Sequence, residues 1–334
     1  MKLKLLIATS DNDYAEHLSS HLSDKHGDTF EIGVASKHDN FAELLKSNRY
    51  DVALLDIDFT TIAGLSAIRL PFLLVDNSVV ASGCDLPQMR KYQRISFMVG
   101  DILETFAKEN PGVQGMSTSG GRITAVWSPI GGIGKTTIAL AYATNRVAAG
   151  KQAVYLSLEN FASTHAYFQA EGRSISKALE KLDSRELNSQ MLMLGMRQQD
   201  SETGIFYFSE PDNYDDMAVL TPDDIETLLS ACIAEADELI VDLSSQYNSN
   251  IMKVFEMANF VYIVTDATIT SQTKLRQFTE QHSTFEQIQA KAILVNNRGA
   301  RTNSSIIEDC IHLPVVPTAD HISVYKSLSG SSFK

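Results

Sequence analysis

The 334-residue chain carries 28 Lys plus Arg against 41 Asp plus Glu, a formal net charge of −13. Apolar residues make up 44% of it and charged residues 21%, an ordinary globular composition, and no apolar run reaches the ~18 residues that a membrane helix needs. Residues 1–110 hold 11 basic and 16 acidic side chains and residues 111–334 hold 17 and 25, so neither half is built to displace counterions from nucleic-acid phosphates by bulk charge.

The opening Met1–Ala8 segment has a faint leader-peptide character, but its apolar stretch is short and Asp11-Asn12-Asp13 follows directly; a buried first strand over Leu3–Ala8 is the better reading. Ser10 or Asp11 can cap a helix through Tyr14, Leu18 and Leu22. Phe30–Ala35 reads as a second strand, and Asp39 or Asn40 as the cap of a helix with Phe41, Leu44 and Leu45 on its apolar face. Val52–Leu55 forms a third strand ending at Asp56, and Pro71–Val75 a fourth. Asp101 and Glu104 have capping-box spacing for a closing helix over Ile102–Lys108. Residues 111–121, with four glycines, one proline and no charge, read as a linker between domains 1–110 and 122–334.

Beyond the linker, Ile123–Trp127 is a strand that meets a glycine loop. A helix runs from about Lys135 to Ala149, and Gly150 is placed to stop it in the left-handed conformation. Ala153–Leu158, Gly204–Phe208, Leu239–Val241, Phe260–Val264 and Ala292–Val295 are short apolar runs suited to strands covered on both faces. Strand and helix alternate throughout, so the predicted fold class is α/β, with two doubly wound parallel sheets. The three cysteines, Cys84, Cys232 and Cys310, have no metal-binding spacing. Their odd count fits a reducing cytoplasm.

Ser128-Pro129-Ile130-Gly131-Gly132-Ile133-Gly134-Lys135-Thr136-Thr137 lies between a predicted strand and a predicted helix, the context of a phosphate-binding P-loop. Gly131, Gly132, Ile133 and Gly134 can turn backbone N–H groups toward one anion, and the following helix adds its positive end. Lys135 can reach the β- and γ-phosphates, and the hydroxyl of Thr136, followed by Thr137, can ligate Mg²⁺. A glycine turn that served only packing would need no lysine. Pro129 stands where the general motif opens with glycine, which stiffens the approach to the loop. Asp242 ends an apolar strand, where a carboxylate can face a hydrated Mg²⁺. Glu159 ends the strand after the P-loop helix; it is either a solvated strand-end glutamate or a water-orienting carboxylate.

With these motifs in order, residues 122–334 resemble the MinD/ParA family of P-loop ATPases. The resemblance implies ATP and Mg²⁺ as ligands, Lys135 and Glu159 as the hydrolytic pair, Asn296 facing adenine, and Pro317-Thr318-Ala319-Asp320 as a loop near the base. It also implies a homodimer that encloses nucleotide between its protomers. In this family a lysine that reaches the partner's phosphate occupies the place of Ile130. Binding through Lys135 is therefore expected, with slow or switch-like hydrolysis.

Residues 1–108 resemble a response-regulator receiver, with Asp56 at the phosphoacceptor position. Thr9-Ser10 stands where a receiver keeps an acidic pair, and no Lys-Pro pair marks a fifth strand; Lys91 is the nearest basic residue to that place. The expected domain is a degenerate receiver. A receiver-like domain ahead of a MinD/ParA-like ATPase is the arrangement of TadZ/CpaE proteins, and Tyr167–Gly172 resembles that subgroup. The resemblance implies a cytoplasmic, cell-pole protein that positions tight-adherence (Flp) pilus or secretion machinery. The alternatives are a ParA-type partition ATPase, against which the charge speaks, and a response regulator with an ATPase output. The polar Ser327–Lys334 tail carries no basic amphipathic anchor, and Ile322, Val324 and Tyr325 are expected to pack on the domain's own core.

Overall fold

Runs such as Leu3–Ala8 and Val52–Leu55 are buried almost without interruption, as strands must be when a parallel sheet is covered on both faces. The computed structural model describes residues 2–27, 29–61, 65–76, 86–109, 120–169, 174–182, 189–234, 236–280, 282–302, 306–318 and 320–334. The chain divides into two units, Met1–Asn110 and Pro111–Lys334. Cys84 and linker positions 111–119 lie outside the described residues.

In the first unit the elements are β1 (Leu3–Ala8), α1 (Asn12–His26), β2 (Phe30–Ala35), α2 (His38–Ser47), β3 (Tyr50–Leu55), β4 (Ile68–Val75), β5 (Gln88–Arg90) and α3 (Ile95–Glu109). All strand pairs are parallel, in the order β2-β1-β3-β4-β5. That order is flavodoxin-like, with its switch point between β1 and β3. Asp11 caps α1 by accepting from the Tyr14 N–H at 3.0 Å. The cap of α2 is Lys37, without a side-chain bond; the predicted cap Asp39 instead sits in the first turn, where its charge complements the helix dipole.

The predicted capping box at Asp101 and Glu104 is also corrected, because both residues lie inside α3. Glu104 pairs with Lys108 one turn on at 2.8 Å. The buried stripe Met98, Val99, Ile102, Leu103 and Phe106 recruits the extra turns before residue 102.

The second unit opens with β6 (Arg122–Trp127), α4 (Lys135–Ala148) and β7 (Ala153–Ser157). There follow α5 (Thr164–Tyr167), α6 (Ser176–Leu182), α7 (Ser189–Met196), β8 (Gln198–Gln199), β9 (Phe206–Tyr207), α8 (Asp215–Ala218) and α9 (Pro222–Ile233). The remainder is β10 (Glu238–Asp242), α10 (Ser249–Met257), β11 (Phe260–Thr265), α11 (Ile269–Thr279), α12 (His282–Ile288), β12 (Ala292–Asn296), β13 (Cys310–His312) and α13 (His321–Leu328). The sheet runs β13-β12-β11-β6-β10-β7-β9-β8, parallel except for the β8–β9 pair.

Alternate residues of each central strand enter different cores. Tyr155, Ile240, Tyr262 and Val264 join α4 on one face, and Leu156, Leu239, Val241 and Ile263 join α9 and α10 on the other. Tyr325 of α13 is buried on the α4 side, with Ile322 and Val324 packed beside it, as expected from their apolar spacing. Gly150 ends α4 with φ +76°, its N–H donating to Val147 O at 2.9 Å, a conformation that a side chain would strain.

Candidate functional site

The loop between β6 and α4 ends on Gly134, whose φ of +95° is left-handed and whose place for a Cβ lies 2.7 Å from Asn297 Nδ2. Only glycine suits both constraints. At Gly131 and Gly132 a Cβ would meet no protein atom within 4 Å; these residues form the exposed lip of the loop. The Ile133 side chain is buried in the α4-side core, so only its backbone can address a ligand. Helix α4 starts without a side-chain cap, which leaves first-turn N–H groups to an anion.

Lys135 is 8% exposed. Its ammonium donates to Ser245 Oγ at 3.1 Å and stands 3.7 Å from Glu159 Oε1. Burial raises the Glu159 carboxyl, and Lys135 pulls it back. Thr136 and Thr137, in the first turn, are partly exposed. Sequence reasoning missed Ser245, because a serine three residues past a strand end carries no distinctive signal.

Asp242 is fully buried. The register pairs Tyr155 of β7 with Ile240 of β10, so Asp242, two residues further on, shares their face. Tyr155 donates its hydroxyl to Asp242 Oδ2 at 2.9 Å. Oδ1 has no hydrogen-bond partner among the described residues. Burial first, and then the Glu159 charge, push this carboxyl up to about 7; the hydroxyls of Thr136 and Tyr155 oppose the shift. A buried, underpartnered carboxylate oxygen beside a threonine hydroxyl suits a hard cation that keeps part of its water shell. Thr136 and Asp242 are thus chemically fitted to hold Mg²⁺, and the lip, Lys135 and the α4 N-terminus to hold phosphates.

Asn296 is buried at the end of β12, and its amide is occupied. Nδ2 donates to Thr302 O at 2.8 Å and to Cys310 Sγ at 2.9 Å, and Oδ1 accepts from the Thr302 hydroxyl. The neighbouring Asn297 and Arg298, which sequence reasoning passed over, make the contact to the P-loop. Asn297 Nδ2 donates to Ile133 O at 2.8 Å, and Arg298 Nη2 donates to Gly132 O at 2.9 Å. Asp266, just past β11, pairs with Arg298 at 3.4 Å. Asp320 caps α13 through Ser323 N at 2.8 Å, while Ala319 of the same loop lies outside the described residues. So do residues 170–172 of the Tyr167–Gly172 phrase; its Phe168 stacks on Tyr207, centroids 4.2 Å apart.

In the first unit, Lys91 directly follows β5, and its ammonium lies 3.2 Å from both carboxylate oxygens of Asp56. No Lys-Pro pair marks this strand, since Tyr92 follows Lys91; β5 itself, three residues with Met89 alone buried, leaves too little pattern to recognise. Buried Thr9 donates to Asp56 Oδ2 at 2.5 Å. Asp11 accepts from the Tyr92 hydroxyl at 3.1 Å.

The fold recurs among solved structures. A ParA family ATPase from Chlorobium tepidum TLS matches at TM-score 0.51 with 19% identity, over 62% of this chain and 90% of its own. The cell division ATPase MinD of Pyrococcus furiosus gives 0.48 and 13%, over 63% and 97%. MinD of Pyrococcus horikoshii OT3, complexed with Mg-ADP, gives 0.47 and 11%, over 62% and 94%. No protein-family model matches the chain, and no curated protein matches it. The fold is α/β, with the P-loop layout of the ParA family ATPase at TM-score 0.51. Among the described residues no helix is long and apolar enough to cross a membrane.

Proposed function

We propose that the second unit binds ATP with Mg²⁺ and works as a slow or switch-like ATPase of the positioning type. The observation that carries this reading is the convergence of Lys135, Glu159 and the bare Oδ1 of Asp242 under an uncapped helix start. The backbone of Gly131–Gly134 and the Lys135 ammonium bind the phosphates. Thr136 and Asp242 hold the metal, which supplies charge shielding to the phosphate oxygens when bound. Glu159, already desolvated beside Lys135, orients water; a carboxyl raised toward neutrality is better matched to accepting a proton. Asn296 belongs to the base side of the site, while Asn297 and Arg298 brace the phosphate loop.

The finer reading is a homodimer that helps to place tight-adherence pilus or secretion machinery at a cell pole, without direct DNA contact. It rests on the P-loop fold following an independent flavodoxin-like unit, and on the charge of −13. Light scattering of the full chain with and without Mg²⁺ and a slowly hydrolysed ATP analogue tests the dimer. Nucleotide-dependent doubling of mass is expected; a strictly monomeric, nucleotide-bound chain at micromolar concentration removes it. A fluorescent fusion tests placement: a polar focus is expected that persists in cells lacking pilus genes and scatters in Lys135→Ala. Even distribution of the unmodified fusion overturns that placement.

A further inference from the structure

Resting on the Mg²⁺·ATP reading of the site, we infer that Tyr155 is a positioning residue for the cation. Its hydroxyl pins one oxygen of Asp242 so that the other is presented toward Thr136 and the P-loop. Four observations support this. Tyr155 is 2% exposed and Asp242 0%, so neither has water to rearrange with. Their strands are locked in register over five pairs, Glu238–Asp242 against Ala153–Ser157, so the tyrosine cannot withdraw without disturbing the centre of the sheet. The hydroxyl donates at 2.9 Å to Oδ2 alone, and Oδ1 has no partner among the described residues. Finally, the Tyr155 ring is braced from behind by Phe168, centroids 6.2 Å apart, which itself stacks on Tyr207.

The chemistry follows from this asymmetry. A carboxylate free to rotate about its terminal bond offers a cation a spread of lone-pair directions; one held at a single oxygen offers one direction. A phenol hydroxyl facing a carboxylate is the donor of the pair, because an ionised carboxylate can only accept. Hydrogen bonds to metal-facing carboxylates of this sort set affinity, and their loss costs about 10–100-fold.

The test is ATP affinity measured by calorimetry in EDTA and in Mg²⁺, for the wild type and Tyr155→Phe as full chains. The wild type is expected to gain affinity when Mg²⁺ is present. Tyr155→Phe should match it within about twofold in EDTA, yet lose about tenfold or more of the Mg²⁺-dependent gain. A variant that keeps the full gain, or that weakens equally in both buffers, overturns the positioning role and leaves the nucleotide site intact. A wild type that binds ATP in neither buffer overturns the nucleotide reading and this role with it. Should Tyr155→Phe fail to fold with a bare buried carboxylate, the double variant Tyr155→Phe/Asp242→Asn is compared with Asp242→Asn. The two are expected to show the same Mg²⁺ response, and an additional loss in the double variant overturns the proposal.

Discussion

The ammonium of Lys135 stands between a neutral hydroxyl, Ser245 Oγ at 3.1 Å, and a carboxylate, Glu159 Oε1 at 3.7 Å. Its charge is therefore only partly met by the protein. Lys135→Ala should lower ATP affinity on the order of 100-fold or more, the scale of charge-assisted hydrogen bonds worth about 1.5–3 kcal/mol each. Calorimetry with Mg²⁺ present checks this, and an unchanged affinity removes the nucleotide assignment.

Ile130 packs partly against the α4-side core and brings no charge to the phosphates. The purified protein alone should turn over far below the ~10 s⁻¹ typical of enzymes. Glu159→Gln should lower the residual single-turnover rate by roughly 100-fold, the contribution of a positioned base, while ATP affinity stays within a few-fold. Ordinary turnover without any partner, or full activity in the glutamine variant, contradicts these roles.

Asp56 is already engaged by Lys91 and Thr9. Incubation with acetyl phosphate and Mg²⁺ should leave the protein mass unchanged; an added phosphoryl group located to Asp56 by peptide mapping contradicts this. Lys91→Ala should instead destabilise the first unit by roughly 2 kcal/mol, because it strips charged hydrogen bonds from a mostly buried carboxylate. Chemical denaturation followed by circular dichroism reports that loss.

Asp242 gives the nucleotide-free protein a pH signature. Its folded value of about 7 lies above the ordinary 3.8, so between those limits the native state holds a proton that the unfolded chain has released. This stabilising contribution is complete below about pH 4, declines as pH rises toward 7, and is constant above. Relative to Asp242→Asn, the wild type should lose roughly 2–3 kcal/mol between pH 5 and pH 8, at about 1.36 kcal/mol per pH unit. Urea midpoints in EDTA at the two pH values measure it, and parallel behaviour of the two proteins refutes it.

Much of this was legible in the residues themselves. The P-loop declares itself because lysine and threonine after a glycine run have no packing purpose, and the buried strands because parallel sheets demand uninterrupted apolar runs. Asp56 and Asp242 stood out as acids ending such runs. Lys91 was visible only as a nearby basic residue, and Ser245, Tyr155, Asn297 and Arg298 did not stand out, since their roles come from where parallel register and loop closure bring them. Tyr155 is the clearest case: on its own strand it is simply an apolar-face residue, and only pairing with β10 sets it diagonal to Asp242. The start of α2 at Lys37 escaped notice because no capping side chain marks it.

The carbonyls of Gly132 and Ile133 are tied back by Arg298 and Asn297 from the end of β12. A peptide unit is planar, so holding its oxygen on one side commits the N–H that shares the plane to the other. The loop is therefore set before any ligand arrives, and no segment has to order itself around the phosphates. Stopped-flow mixing with fluorescent ATP should accordingly show an observed rate that climbs linearly with concentration. The plateau that marks a slow rearrangement ahead of binding should be absent, and Asn297→Ala should introduce one.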